Sequence, residues 1–156
     1  MGRRGTRLLR WVPVVMFVLL PVAGCSPPQR DIVGVRVGED GEPVLMLRSC
    51  DGSDFERVEI FVGPDSMAHL TPPEGTHGRV DIRMFHPPTD WRSTGDSLPP
   101  LAAGERAWVD LRSSDIAYSV LHFTADDLAR MAPGEVWAGE ELHSPAGFEA
   151  YVRDAC

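Results

Sequence analysis

The stretch IVGVRVGEDGEPVLMLRSCDGSDFERVEIFV, residues 32–62, decides the fold. From Ile32 to Val37 the apolar side chains alternate. Val33, Val35 and Val37 share one face and Arg36 takes the other, the pattern of a half-buried strand. Glu39-Asp40-Gly41-Glu42 follows, and Asp-Gly between two apolar runs turns a hairpin. Val44 to Cys50 is the return strand, with Leu45 and Leu47 opposite Met46 and Arg48. Asp51-Gly52-Ser53-Asp54 makes a second turn, and Phe55 to Val62 then sets Val58, Ile60 and Val62 against Arg57 and Glu59. The stretch predicts a three-stranded antiparallel meander.

The same rhythm continues downstream. A Pro- and Gly-rich connection, 63–78, holds a short strand at Met67 to Leu70. Val80 to Phe85 alternates again, and a second long connection, 86–105, carries Pro87, Pro88, Pro99 and Pro100. Arg106 to Arg112 and Ala117 to Phe123 read as hairpin partners around Ser113-Ser114-Asp115. Thr124 caps one helical turn from Ala125 to Met131, because a threonine there accepts an orphan amide bond. Val136 to Ala138 is a short last strand. Ser144-Pro145 starts a closing helix, with Phe148, Tyr151, Val152 and Ala155 at helical spacing.

Six to eight short strands separated by turns predict an all-β sandwich in one domain, residues 31–156, with a C-terminal α-helix. The strand and turn rhythm resembles immunoglobulin-like and fibronectin type III-like antiparallel sandwiches. The tryptophans and cysteines do not stand at antibody-domain spacing.

Upstream of this domain the chain changes character. Arg3, Arg4, Arg7 and Arg10 precede an uncharged apolar run from Trp11 to Ala23, the layout of a secretory signal. A membrane-spanning helix, the alternative, needs about 20 apolar residues. This run is shorter and contains Pro13 and Pro21. Val22-Ala23-Gly24-Cys25 resembles the lipobox of bacterial lipoproteins. That resemblance implies a signal peptide over 1–24, cleavage before Cys25 and a lipid on its thiol. An ordinary secreted protein with an incidental Cys25 is the competing reading. One acyl chain binds a membrane marginally, whereas two anchor it stably. Ser26-Pro27-Pro28-Gln29-Arg30 completes a lipidated tether, 25–30. At about 3.1 Å per extended residue, its five residues after the cysteine reach some 15 Å, so the domain is expected close to the extracytoplasmic face of the cell membrane. The mature chain also resembles small lipoproteins exported by actinobacteria, a resemblance that implies an address and no activity.

Charge excludes some partners. After the leader, eleven arginines stand against 23 acids, a formal charge of −12. Nucleic-acid binding rests on neutralising phosphates with Lys and Arg, so nucleic acid is not expected. A polybasic hold on anionic lipid is not expected either. The chain has no lysine, no asparagine and one glutamine, which reads as the coding bias of a G+C-rich genome.

Of three cysteines, the lipobox takes Cys25, leaving Cys50 and Cys156. Outside the cytoplasm such a pair is expected to oxidise to a disulfide. Two free buried thiols are the alternative. The spacing fits no zinc motif.

Catalytic signatures are missing. No two of His69, His77, His86, His122 and His143 stand at close ligand spacing. Met67 and Met84, near His69 and His86, have the softness copper favours, but methionine more often fills core gaps. Asp51-Gly52-Ser53-Asp54 and Asp126-Asp127 lack the pattern of an EF-hand and read as a turn and a helix start. There is no G-x-S-x-G elbow and no Gly-rich phosphate loop. No cofactor, metal or catalytic residue is expected. The two long connections are the candidate binding surfaces, with Trp91 and Arg92 the aromatic–cation pair favoured at binding hot spots. The bland role for Trp91 is to cover the sandwich end. The expected function is a lipid-anchored, non-catalytic binding or scaffolding module, with an unknown envelope protein or ligand as partner. The alternative is an envelope hydrolase or metal-handling lipoprotein.

Overall fold

A computed structural model describes residues 31–50, 52–114 and 118–156, with only the backbone of Tyr118. The expectations for the signal peptide 1–24, Cys25 and the tether 25–30 lie outside the described residues, as do Asp51 and Asp115.

The strands are β1 (Ile32–Val37), β2 (Pro43–Arg48), β3 (Phe55–Val62), β4 (Ser66–Thr71), β5 (Arg79–Arg83), β6 (Arg92–Gly95), β7 (Arg106–Ser113), β8 (Tyr118–Thr124), β9 (Val136–Ala138) and β10 (Glu141–His143). Two helices, α1 (Ala125–Arg130) and α2 (Pro145–Ala155), follow β8 and β10. The strands form two five-stranded antiparallel sheets, ordered β10-β9-β1-β2-β5 and β6-β4-β3-β7-β8. The fold is an all-β sandwich with a C-terminal helix.

The β1–β2 hairpin forms as its Asp-Gly turn predicts. Val35 pairs with Leu45, Gly41 takes φ 84°, and Gly38 donates to the Glu42 carbonyl at 2.8 Å. The meander does not continue. β3 leaves its predicted place beside β2 and crosses to the other sheet, where it pairs with β4 and β7, while β2 takes β5 instead. Alternation marks which face of a strand is buried and does not say which sheet the strand joins. The link from Ser49 to Asp54 is long enough to cross the ~10 Å between packed sheets. Both ends of the link are held by the 76–78 segment, since Ser49 donates to Gly78 O and Phe55 to Thr76 O, each at 2.8 Å.

The main core lies between the sheets. Val33, Val35, Leu45, Leu47 and Ile82 from one meet Val58, Ile60, Val109, Leu111 and Phe123 from the other. Each such side chain contributes about 1.5–3 kcal/mol when fully buried. A second apolar cluster lies on the outer side of the first sheet. Ile32, Met46, Val136 and Ala138 face outward there and are covered by Phe148 and Val152 of α2. This explains why all six residues of β2 are buried. The order of layers is therefore α2, first sheet, second sheet. No helix among the described residues is long and apolar enough to cross a membrane.

Candidate functional site

The cysteine pair comes together. Cys50 follows β2, Cys156 ends α2, and their sulfurs stand at disulfide distance, 2.12 Å. The Cys50 amide donates to Asp31 Oδ1 at 3.0 Å. The entry of the chain, its end and the cysteine pair thus share one end of the sandwich. Beside them opens a cleft of about 520 Å³, lined by Arg48, Arg79, Glu149, Arg153 and both cysteines.

Trp91 and Arg92 are parted. The Trp91 indole packs into the main core and is 7 % exposed, so it covers the core and offers no surface. Arg92 begins β6, all of whose residues are exposed. The connection 86–105 contributes this polar edge strand, paired with β4 from Ala68–Gly95 to Thr71–Arg92. Apolar periodicity could not find it, since RSTG has none.

The histidines do not converge. Nδ1 of His69 lies 3.2 Å from Glu59, that of His77 lies 3.3 Å from Asp54, and that of His86 lies 2.9 Å from Glu42. Met84 is buried in the main core. Among the described residues no group of three or more His, Cys, Asp or Glu is placed to hold a metal ion.

At the opposite end from the cysteines, Glu42 is a junction. Its carboxylate accepts from the Phe85 amide and meets His86 Nδ1 and Arg83. Next to it, Asp40 pairs with Arg83. The Glu42 amide donating to Asp40, with the Arg83 guanidinium beside it, holds the Asp40 carboxyl below the ordinary carboxylate range. A mostly apolar cleft of about 340 Å³ lies here between Pro43, Phe85, Leu101 and Leu128. α1 closes this end, and its start is a capping box. Thr124 Oγ1 accepts from the Asp127 amide at 3.1 Å, and Asp127 Oδ2 accepts from the Thr124 amide at 2.8 Å. Burial would raise the Asp127 carboxyl, but the Thr124 hydroxyl, the Thr124 amide and Arg130 outweigh it and hold the group low.

The outer face of the second sheet carries a different surface. Cross-strand register aligns Met67, Phe61, Trp108 and His122 in one row across β4, β3, β7 and β8. Phe61 and Trp108 stack, with ring centroids 4.6 Å apart and planes at 11°. Both are half-buried, while Met67 and His122 are exposed. The next row toward the cysteine end is polar, with His69, Glu59 and Asp110, and ends in exposed Val120. Sequence alternation places these residues on the solvent side. It could not show that they form one row, because that needs the register of four strands. This face therefore presents an aromatic row bordered by acids and a histidine.

Compared with known proteins, the chain matches no family model, no curated protein and no solved structure.

Proposed function

We propose that this chain is a lipid-anchored extracytoplasmic lipoprotein whose sandwich is a non-catalytic binding or scaffolding module at the cell envelope. The lipid on Cys25 ties it to the cell membrane. The outer face of the second sheet receives an envelope protein or ligand. The observation that carries the reading is the opposition of these two parts. Asp31, where the tether would enter, is bonded to Cys50 at one end. The Phe61–Trp108 stack lies near the other end of β3, six residues beyond Phe55, or about 20 Å along a strand. A short tether would hold the cysteine end against the bilayer and leave the aromatic row facing outward.

The finer fold we infer is fibronectin type III-like. Without β6, β9 and β10, the sheets reduce to β1-β2-β5 and β4-β3-β7-β8. In an immunoglobulin constant domain the fourth strand stays with the first sheet. Here it pairs with the third, which supports the fibronectin-like arrangement. The pair at Cys50 and Cys156 then acts as a disulfide bracing a small exported domain, and α2 is an addition to the sandwich.

A photo-crosslinking side chain introduced at Met67 on intact cells tests the partner face. Capture of the same envelope protein from Met67, and its absence from the Arg79 position at the cysteine end, supports the reading. Equal capture from both positions, or none from Met67, contradicts it.

A further inference from the structure

We propose that the cleft at the cysteine end is a binding site for a phosphate ester, with the Arg48 guanidinium as its floor. Arg48 ends β2 and is 4 % exposed. It lies over the Phe148 ring, with the guanidinium carbon 5.5 Å from the centroid. Its hydrogen bonds all leave from Nη1. They run to Leu47 O at 2.8 Å, Val80 O at 3.4 Å and Asp81 Oδ1 at 2.9 Å. Nε is buried and has no acceptor. The edge formed by Nε and Nη2 is the one that a guanidinium offers to two oxygens of a carboxylate or phosphate. A buried donor without an acceptor is unfavourable, and a ligand oxygen that reaches it relieves that cost. The structure spends one side of this arginine on the protein and leaves its two-donor edge without a protein acceptor.

The surroundings select the ligand's sign. The cleft carries three arginines, Arg48, Arg79 and Arg153, against one glutamate, Glu149. Asp81 beside Arg48 and Asp154 beside Arg153 offset that charge, so an anion is favoured by the directed guanidinium donors and not by net charge. Arg79 Nη2 pairs with Glu149 Oε2 at 2.5 Å, and both remain at least one-third exposed. Arg153 is 73 % exposed and only 4.0 Å from Asp154. Both outer arginines are therefore able to turn toward a bound anion. The last turn of α2 opposes binding, because helix carbonyls give that end partial negative charge. The affinity must come from directional guanidinium bonds, and a dissociation constant of about 1 mM for a small phosphate is expected.

A lipid headgroup and a soluble phosphate ester present the same chemistry. The site itself rests on the described domain. Its occupation by a lipid would rest also on the anchored reading, which places this end at the bilayer.

The test uses the full processed chain in detergent micelles, labelled with nitrogen-15, with the Nε–H signal of Arg48 as the readout. Glycerol 3-phosphate is expected to move that signal saturably. Replacing Arg79→Gln and Arg153→Gln together should weaken binding by about tenfold, the worth of roughly one charge-assisted bond. Glu149→Gln should tighten it. An Arg48 signal that ignores glycerol 3-phosphate, or that moves identically in the double variant, overturns the site. A second arm places the chain in phosphatidylcholine vesicles with or without phosphatidylglycerol. A signal already displaced by phosphatidylglycerol assigns the phosphate to lipid. A signal displaced only by added glycerol 3-phosphate assigns it to a soluble ester. Intact mass of the same sample reads the lipid on Cys25 separately, so loss of the anchor and loss of the site are distinguishable.

Discussion

Gly34 of β1 lies directly beneath Phe148 of α2. A Cβ added at Gly34 would stand 3.1 Å from Phe148 Cε2 and 2.8 Å from Val136 Cγ1. The bare backbone at this one position lets α2 settle onto the first sheet. Gly34→Ala should therefore be destabilising although alanine is otherwise favoured over glycine in a strand. Overpacking of this kind costs about 1–3 kcal/mol. Urea unfolding at constant slope would measure it. An unchanged or raised midpoint would mean that α2 sits elsewhere.

The Cys50–Cys156 pair closes a loop of 106 residues. Chain entropy assigns a cross-link of that span about 4.7 kcal/mol, reduced by any native strain. The Cys50→Ser and Cys156→Ser single variants and the double variant should all lose similar stability, up to that amount. Reduced wild type should match them. Mass spectrometry without reductant should find the oxidised chain two hydrogens lighter than the reduced one. Two thiols that alkylate in the native protein would contradict the bridge.

Much of this architecture is legible in residues 32–62 and their echoes. Alternation and short apolar runs located eight of the ten described strands, and the turn at Asp40-Gly41 fixed the first hairpin. Phe148 and Val152 at helical spacing found the face of α2 that is buried. What escaped has physical causes. β6 is wholly exposed and carries no apolar side chain, so no periodicity exists to read. β10 has three residues and pairs with β9, while His143 stacks on Tyr151 of α2, a contact that strand periodicity does not signal. The departure of β3 to the second sheet depends on partners distant in sequence, Leu70 and Leu111 beside Val58. Trp91 next to Arg92 looked like one surface, yet neighbours in an extended chain point to opposite sides, and the indole went inward.

The start of α1 makes stability depend on acid. Asp127 has a folded-state carboxyl held low by Thr124 and Arg130. A lowered folded pKa adds stability above the unfolded value of about 3.9 and loses it as pH falls through the folded one. Asp127→Asn should leave a shallower loss of stability in that acid range and a smaller difference from wild type at low pH than at pH 7. Thr124→Ala, which removes the cap, should cost about 1 kcal/mol at neutral pH. Unfolding midpoints taken between pH 7 and the acid limit would check both. A pH profile in Asp127→Asn identical to wild type would contradict the assignment.

The Phe61–Trp108 stack predicts a separation of binding from stability. Trp108→Ala removes a half-buried ring from the solvent face, where stacking is worth about 0.5–1.5 kcal/mol beyond the area covered. Leu111→Ala, fully buried on the same strand, should cost about 2–5 kcal/mol. The first should abolish capture of the proposed envelope partner from Met67 while the protein stays folded. The second should lower the amount of folded protein with capture by the remainder intact.

The anchor is tested most directly by the intact mass of the chain extracted from the membrane fraction. The expected polypeptide begins at Cys25 and carries diacylglycerol on that residue, and a Cys25→Ser chain gains no lipid. A water-soluble chain retaining Met1, or an unmodified Cys25 in the membrane fraction, would contradict the anchor.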